Sequence, residues 1–423
     1  MNILVINAGS SSLKFTVFSF SWLGKQSVLA SGQVECIGLP TSSLVYTKTG
    51  KAKVKTEIEL SDERRLAKKY ITHTDSLKVV CEKLLNKEDG VIANIHDILA
   101  IGHRVVHGGE KVTKPVIIDE HIKQVIIDCT SLAPLHNPAN LAGILACEEA
   151  FPGVPNVAIF DTAFHQTMAP EAYLYAIPYE LYEKHGFRRY GFHGTSHHYV
   201  GKTTAKFLKV AFEELKLITC HLGNGCSMAA INKGEVIDTS MGMTPLEGLV
   251  MGTRCGDLDP AIPLAIEHDL GIKASEVDTM LNKKSGLYGL AGIGTGDMRD
   301  VIQAGEKGNK QAETAKNVFI RRIVKYIGAY SAILGGADAV VFTGGIGENS
   351  AVVRAGVVSA LGSLGTTLDS AANQACTSGS PAIISTKDSK MKAIVTPTNE
   401  ELMIATQSVE LLLEEGKLKV VTV

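Results

Sequence analysis

What this sequence lacks narrows it first. No apolar run reaches the roughly 18 residues of a membrane-spanning helix, and Met1 leads straight into a strand-like pattern without a basic segment. Neither a membrane span nor a secretory leader is expected. Charge excess is almost absent: 42 basic residues stand against 44 acidic ones, leaving −2. That removes the electrostatic case for nucleic acid or an anionic membrane surface, so any positive charge must act locally. The eight cysteines are scattered and contain no C-x-x-C pair, which points to a reduced, cytoplasmic protein. At 423 residues the chain exceeds what one core usually holds, and two domains are expected.

What is present centres on two similar stretches. Residues 2 to 18 place two β-rich runs around Ala8-Gly9-Ser10-Ser11-Ser12, where small residues allow a sharp turn and bring backbone N–H groups and hydroxyls toward an anion, most simply a phosphate. Residues 216 to 231 repeat the design around Gly223-Asn224-Gly225-Cys226-Ser227, with Ser12-Leu13 and Ser227-Met228 in register. Two such loops in one chain suggest an internal duplication.

Between and after them the pattern is α/β. Residues 28 to 59 read as strands, and a helix is expected over 75 to 87 behind Asp75. A strand over Ile98 to Val106 leaves Arg104 near its C-terminal end. Asn137-Pro138 supplies the N-cap and first turn of another helix, and Asn156 to Phe160 forms a buried strand ending in Asp161. Beyond Asp161 aromatics and histidines crowd in, marking a domain boundary. Helices follow near 260 to 270, 274 to 283 and 310 to 334. The strand Ala337 to Phe342 then opens into a glycine loop, Thr343 to Ser350, ahead of a helix, a geometry suited to phosphate or ribose. Thr398-Asn399-Glu400-Glu401 caps a last helix.

Read in order, residues 7–14 (Asn-Ala-Gly-Ser-Ser-Ser-Leu-Lys), 103–109 (His-Arg-Val-Val-His-Gly-Gly), 160–165 (Phe-Asp-Thr-Ala-Phe-His), 191–197 (Gly-Phe-His-Gly-Thr-Ser-His), 221–225 (His-Leu-Gly-Asn-Gly), 252–257 (Gly-Thr-Arg-Cys-Gly-Asp), 344–349 (Gly-Gly-Ile-Gly-Glu-Asn) and 397–401 (Pro-Thr-Asn-Glu-Glu) span nearly the whole chain. Together they resemble the acetate kinase family. Cys255 and Gly344 depart from it, standing where many relatives carry Ser and Ala. The resemblance implies an α/β fold of two related domains with duplicated actin-like (ribonuclease H-like) topology and an active site in the cleft between them. Residues 1–163 plus 399–423 would form the first domain, and 164–398 a second domain that binds nucleotide and supports a homodimer. The stretch from Gly416 onward reads as an extra tail.

The implied reaction moves the γ-phosphoryl group of ATP to acetate, reversibly, giving acetyl phosphate and ADP. Propionate kinase or another short-chain acyl kinase is the nearest alternative. Phosphoryl transfer demands positioning and charge neutralisation more than covalent help, and arginines suit it. By resemblance, Arg104 and Arg254 grip the carboxylate and the moving phosphoryl group, and His193 helps hold the latter. Asn7 and Glu400 bind Mg²⁺ (or Mn²⁺), with Lys14, Ser10 and Ser12 on the phosphate side. Nucleotide contacts are implied for His221, Leu222, Gly223, Asn224, Gly225, Asp297, Met298, Arg299, Gly345, Ile346, Gly347, Glu348 and Asn349. Val106, Leu135, Phe192 and Pro245 would line a pocket for the acyl methyl group. Asp161 is not expected to be a general base, because a carboxylate substrate is already ionised at neutral pH. It serves better to orient an arginine, a histidine or the metal ion. Two other classes were weighed: a metal hydrolase built on Asp161, His165, His193, His197 and His198, which leaves the glycine loops unexplained, and a nucleotide-driven binding protein, for which no further domain follows residue 423.

Overall fold

The computed structural model describes residues 1–21, 25–61, 63, 67, 69–134, 136–376 and 379–418. Leu135 and the last five residues of the expected tail lie outside them. The chain divides into two units, Met1–Ala163 with Glu400–Val423, and Phe164–Asn399.

In the first unit β1 (Asn2–Gly9) and β2 (Ser12–Phe20) pair antiparallel, with Asn7 opposite Lys14 and Gly9 opposite Ser12. β3 (Gln26–Glu35), β4 (Ser42–Lys48) and β5 (Val54–Ile58) extend that side. On the other side of β1, β6 (Ile98–Val105) and β8 (Asn156–Phe160) add in parallel, and the short antiparallel β7 (Val116–Ile117) ends the sheet. β1 reads as a continuous apolar run because both faces are covered. Leu4 and Ile6 pack toward Leu77 and Val80 of α1 (His73–Leu84), while Ile3 and Val5 meet Ile404, Ala405 and Val409 of the C-terminal helix Glu400–Glu414. That helix lies close against β6 at Gly102, where a Cβ would come within 2.7 Å of Ile404 and Ser408.

Two helix starts differ from expectation, each for a hydrogen-bonding reason. α1 begins behind Thr72, not Asp75. The Thr72 hydroxyl accepts from Asp75 N at 3.2 Å, and the Asp75 carboxylate accepts from Thr72 N at 2.9 Å, so two end amides are satisfied reciprocally. Past α2 (Glu120–Asp128), α3 (Asn137–Ala150) has His136 in the N-cap position. Asn137 lies inside the helix with its amide turned into the core, committed to other backbone groups.

The second unit repeats the plan. β9 (Lys216–Leu222), β10 (Cys226–Asn232) and β11 (Glu235–Thr239) are antiparallel. β12 (Ala339–Thr343) and β14 (Lys392–Val395) run parallel to β9, with β13 (Ala382–Ile383) at the edge. The order β11-β10-β9-β12-β14-β13 matches β3-β2-β1-β6-β8-β7 strand for strand, so the duplication extends beyond the hairpins. Their tips differ: two residues, Ser10 and Ser11, turn the first, and Gly223 to Gly225 turn the second. α4 (Gly194–Leu208) covers one face through Val200 and Ala205. α5 (Ala261–Leu270), α6 (Ala274–Lys283), α7 (Met298–Glu306) and α8 (Lys310–Ile333) follow, α8 burying Phe319, Ile323 and Ile327. The expected glycine loop after β12 is itself a helix, α9 (Gly344–Asn349), because the Glu348 carboxylate accepts from Gly344 N at 3.0 Å and satisfies an amide at the helix start.

His103 on β6 is fully buried, with Nε2 2.7 Å from Asn156 Oδ1, and burial pushes its pKa down from 6.5 to about 4. A depressed histidine pKa means that the unfolded chain takes up the proton first. The associated stability is therefore complete above pH 6.5 and drains away as pH falls toward 4, by about 3 kcal/mol in all. In His103→Gln, which cannot titrate, unfolding free energy measured in urea is expected to fall less steeply across pH 6.5 to 4 than in wild type. Parallel curves would show that His103 is not a source of the acid sensitivity.

Candidate active site

The first unit gathers its polar residues where β1, β6 and β8 end. Arg104 and Asp161 leave neighbouring parallel strands at the same level, since Arg104 lies opposite Ile159 and Val105 opposite Phe160. Arg104 Nη2 and Nε both donate to Asp161 Oδ2, at 2.6 and 3.0 Å, and Nη1 reaches Asn7 Oδ1 at 3.4 Å. Asp161 is 1% exposed. Burial opposes the Arg104 charge, but Asp161, Glu400 and Glu401 together more than offset it and raise its pKa. Glu400 feels the opposite balance. Burial first, then Asp161 and Glu401, push its carboxyl up to about 7 against the pull of Arg104 and Lys14. A desolvated carboxyl and the Asn7 amide oxygen, both in the surroundings of Arg104, are oxygen donors of the kind a hard divalent cation suits. Ser10 and Lys14 are exposed and Ser12 half-buried along the hairpin, while Val106 is buried.

Beyond Val105 the backbone leaves the sheet, and α3 takes over its hydrogen bonds. Asn137 accepts from His107 N at 3.2 Å and donates to the carbonyls of His107 and Ile126, both at 3.0 Å. Asn140 accepts from Val106 N at 3.1 Å and donates to Ala8 O at 2.7 Å. From α1, His73 Nε2 lies 2.8 Å from Gly9 O. Asn140 and His73 were not singled out from sequence, and Asn137 was read only as a helix cap. The available signal was a pair of amides three residues apart on one face of an otherwise apolar helix.

The second unit builds its group around His193, whose backbone is left-handed (φ 57°) at the start of α4. For a residue with a Cβ that conformation costs roughly 1–2 kcal/mol. The surroundings hold it: Nδ1 lies 2.8 Å from Ser227 Oγ, which in turn lies 2.7 Å from His197 Nε2, and the ring stacks on His221 at 4.3 Å. His221 Nδ1 lies 2.8 Å from Ser196 Oγ, which is 2.7 Å from Thr398 Oγ1. Gly225 lies between His193 and Arg254, where a Cβ would stand 3.5 Å from the imidazole and 3.4 Å from the guanidinium. At Gly252 a Cβ would fall 1.9 Å from Asn224 Oδ1, so a side chain there would displace the Asn224 amide. From sequence Ser227 ends a glycine-rich turn and Thr398 belongs to a helix cap; their bonds to His193, His197 and Ser196 depend on the fold.

Arg254 differs in kind from Arg104. Its guanidinium is half-buried and makes no ion pair among the described residues. Its contacts are Pro245 O at 3.3 Å and Met251 Sδ at 3.7 Å, and burial lowers its pKa. A desolvated cation held by a carbonyl and a thioether is poised for an anion. Phe192 is buried and Pro245 half-buried.

The residues expected to hold nucleoside are partly committed elsewhere. Asp297 caps α7 and pairs with the exposed Arg299 at 2.6 Å, and the Met298 side chain is buried. Glu348 Oε1 accepts from Gly344 N, Thr343 Oγ1 and Thr398 N. The buried Arg354 donates to the carbonyls of Gly347 and Glu348 at 3.0 and 2.7 Å, fixing α9 from behind. Gly345 and Asn349 remain at the surface of that helix, Ile346 is half-buried and Gly347 buried. The histidine-rich stretch is engaged in packing and hydrogen bonds: His165 lies 2.9 Å from Phe192 O and meets the His197 ring, His198 stacks on Phe164, and burial holds His197 far below its usual pKa. Among the described residues no three His, Cys, Asp or Glu side chains are grouped to hold a metal ion.

Comparison with known proteins gives a consistent result. The sequence pattern of the acetokinase family matches residues 2–406. An acetate kinase of Clostridium novyi is 49% identical over 419 residues, covering 99% of this chain and all of the relative. The crystal structure of Porphyromonas gingivalis acetate kinase superposes with a TM-score of 0.90 at 42% identity, covering 97% of this chain and 99% of that one. A propionate kinase from Francisella tularensis gives 0.86 at 42% identity over the same shares.

Because Glu348 joins the start of α9 to the segment before the C-terminal helix, Glu348→Ala is expected to lower unfolding free energy by about 1–3 kcal/mol, the cost of leaving such donors without an acceptor. Urea denaturation followed by circular dichroism measures this. A loss within error of zero would mean that water replaces the carboxylate without penalty.

Proposed function

This chain belongs to the acetokinase family, and on that premise we propose that it transfers the γ-phosphoryl group of ATP to acetate, reversibly and by direct in-line displacement, giving acetyl phosphate and ADP. The observation that carries the reading is Arg254, a half-buried guanidinium with no carboxylate partner among the described residues. In-line phosphoryl transfer spreads charge over three equatorial oxygens, and a planar, desolvated guanidinium meets that charge two oxygens at a time. His193, held by Ser227 and stacked on His221, serves the same oxygens. Arg104 carries its own counter-ion, so it holds the acetate carboxylate with less net charge, and Asp161 orients it. No proton need be removed from acetate, which leaves Asp161 without work as a base.

Roles divide by unit. Asn7 and Glu400 of the first would hold Mg²⁺ or Mn²⁺, and the ion when bound neutralises phosphate charge. Ser10, Ser12 and Lys14 assist on the phosphate side, and Val106 serves acyl binding. In the second, Phe192 and Pro245 are the residues that serve acyl binding. It binds ATP or ADP through His221 to Gly225, Asp297 to Arg299 and Gly345 to Asn349. Propionate is a weaker second substrate on this reading, since Val106 puts two methyl groups where alanine would leave room. The second unit is also the dimerisation unit: α5 buries none of its ten residues and exposes Ile262, Leu264 and Leu270. We place the protein in the cytoplasm. Its eight cysteines are all free, and among the described residues no helix is long and apolar enough to cross a membrane.

Incubation with ATP, Mg²⁺ and acetate, with hydroxylamine to trap acyl phosphate, tests the assignment, and no hydroxamate from any short acid would sink it. Arg254→Ala is expected to lose roughly 10³-fold or more in kcat while still folding and binding ATP, with poor rescue by lysine. Near-normal kcat with weakened ATP binding would remove Arg254 from the transition state. Val106→Ala is expected to improve kcat/KM for propionate relative to acetate by about tenfold, the low end of what one methylene is worth. An unchanged ratio would show that Val106 is not the pocket wall.

A further inference from the structure

We propose that Asn140 is a positioning residue for this reaction, its one amide setting the acyl-pocket wall at Val106 and the turn that follows Asn7 relative to each other. The inference rests on the reading of Val106 and Asn7 given above.

β1 and β6 are parallel neighbours, but their ladder stops at Ile6 opposite His103. The residues with chemistry lie past that point: Asn7, Ser10 and Ser12 on one chain, Arg104 and Val106 on the other. Sheet hydrogen bonds therefore do not fix the spacing of these two ends. Arg104 to Asn7, at 3.4 Å, is too long to fix it well. Asn140 spans the gap. Its Oδ1 accepts from Val106 N at 3.1 Å and its Nδ2 donates to Ala8 O at 2.7 Å. The side chain is 3% exposed and hangs from the first turns of α3, whose Ile144 is buried in the core. One helix turn earlier, Asn137 grips both backbone groups of His107, so the segment after β6 pairs with α3 as it would with a strand.

The chemistry of the side chain is specific. An apolar replacement leaves a buried N–H and a buried carbonyl without partners. Aspartate keeps the acceptor for Val106 N but turns an oxygen toward Ala8 O. Glutamine adds a methylene that a buried site has no room for. Only a planar group with an acceptor on one side and a donor on the other, at the length of asparagine, serves both ends.

The experiment uses the full-length protein. Asn140→Ala frees both ends, so the acetate-to-propionate ratio of kcat/KM is expected to fall by about threefold or more. Mn²⁺ affinity, read by electron paramagnetic resonance without substrates, is expected to fall by at least about threefold. Asn140→Asp separates the ends: selectivity stays near wild type while Mn²⁺ affinity drops, and this variant decides the matter if the alanine variant does not fold. Ile144→Val, which loosens the packing of the same helix while keeping the Asn140 amide, is expected to lower Tm and leave both readouts near wild type. The proposal is overturned if folded Asn140→Ala keeps the wild-type ratio and Mn²⁺ affinity, or if Ile144→Val moves them equally. A wild-type protein that forms no hydroxamate from either acid defeats the functional reading itself, a result separable from both.

Discussion

Arg104 and Asp161 form the interaction on which the first unit depends. Asp161 is taken out of water at the C-terminal end of β8 and the Arg104 side chain is 23% exposed at the end of β6, and a pair so far buried needs close geometry; removing one partner of a fully buried pair typically costs about 3–5 kcal/mol. Close geometry demands that the two strands end level, and the register opposing Val105 to Phe160 supplies it. Level strands require side chains that pack on both sheet faces, hence the unbroken apolar runs of β1 and β8. The pair also shapes its neighbourhood. Asp161 adds to the negative field that keeps the buried Glu400 carboxyl near neutrality, so the first unit holds an acceptor whose charge is readily completed by a cation.

The two units share a sheet order but have diverged in chemistry at their strand ends. In the first, a guanidinium is matched by a carboxylate. In the second, Arg254 meets a carbonyl and a thioether and no carboxylate among the described residues, and the polar groups of the site are imidazoles and hydroxyls. A duplicated scaffold has thus produced one end rich in oxygen acceptors and another rich in donors. That complementarity is what transfer of an anionic group between two anionic acceptors calls for.

Much of this was legible in the sequence because the periodicities are strong. The hairpins, the helices at 261–270 and 274–283, and the buried strand before Asp161 follow directly from apolar spacing and turn residues. Family motifs named the charged site residues. What escaped notice were side chains that bond to distant backbone. Asn137 reads as an N-cap locally, yet the tertiary structure offered its amide three partners and the cap position passed to His136. Glu348 reads as part of a nucleotide loop, but its carboxylate folds back and turns the glycine run into a helix. Ser227 reads locally as the end of a glycine-rich turn, whereas its hydroxyl serves two histidines 34 and 30 positions away, at 193 and 197. Local pattern reports what a residue does for its neighbours in sequence, and these residues act across the fold.

The C-terminal helix, close against Gly102 and covering Ile3 and Val5, has a consequence for the order of events during synthesis. The second unit is contiguous, so its core is complete once residue 399 has emerged from the ribosome. The first unit is made first but stays open on one sheet face until the last helix arrives some four hundred residues after β1. Chains therefore emerge with their earliest-made sheet uncovered for most of translation, a window in which that apolar face is a target for chaperones or for misassociation. Ending the chain before Glu400 would make that window permanent, leaving the first sheet without its cover however well the second unit had folded.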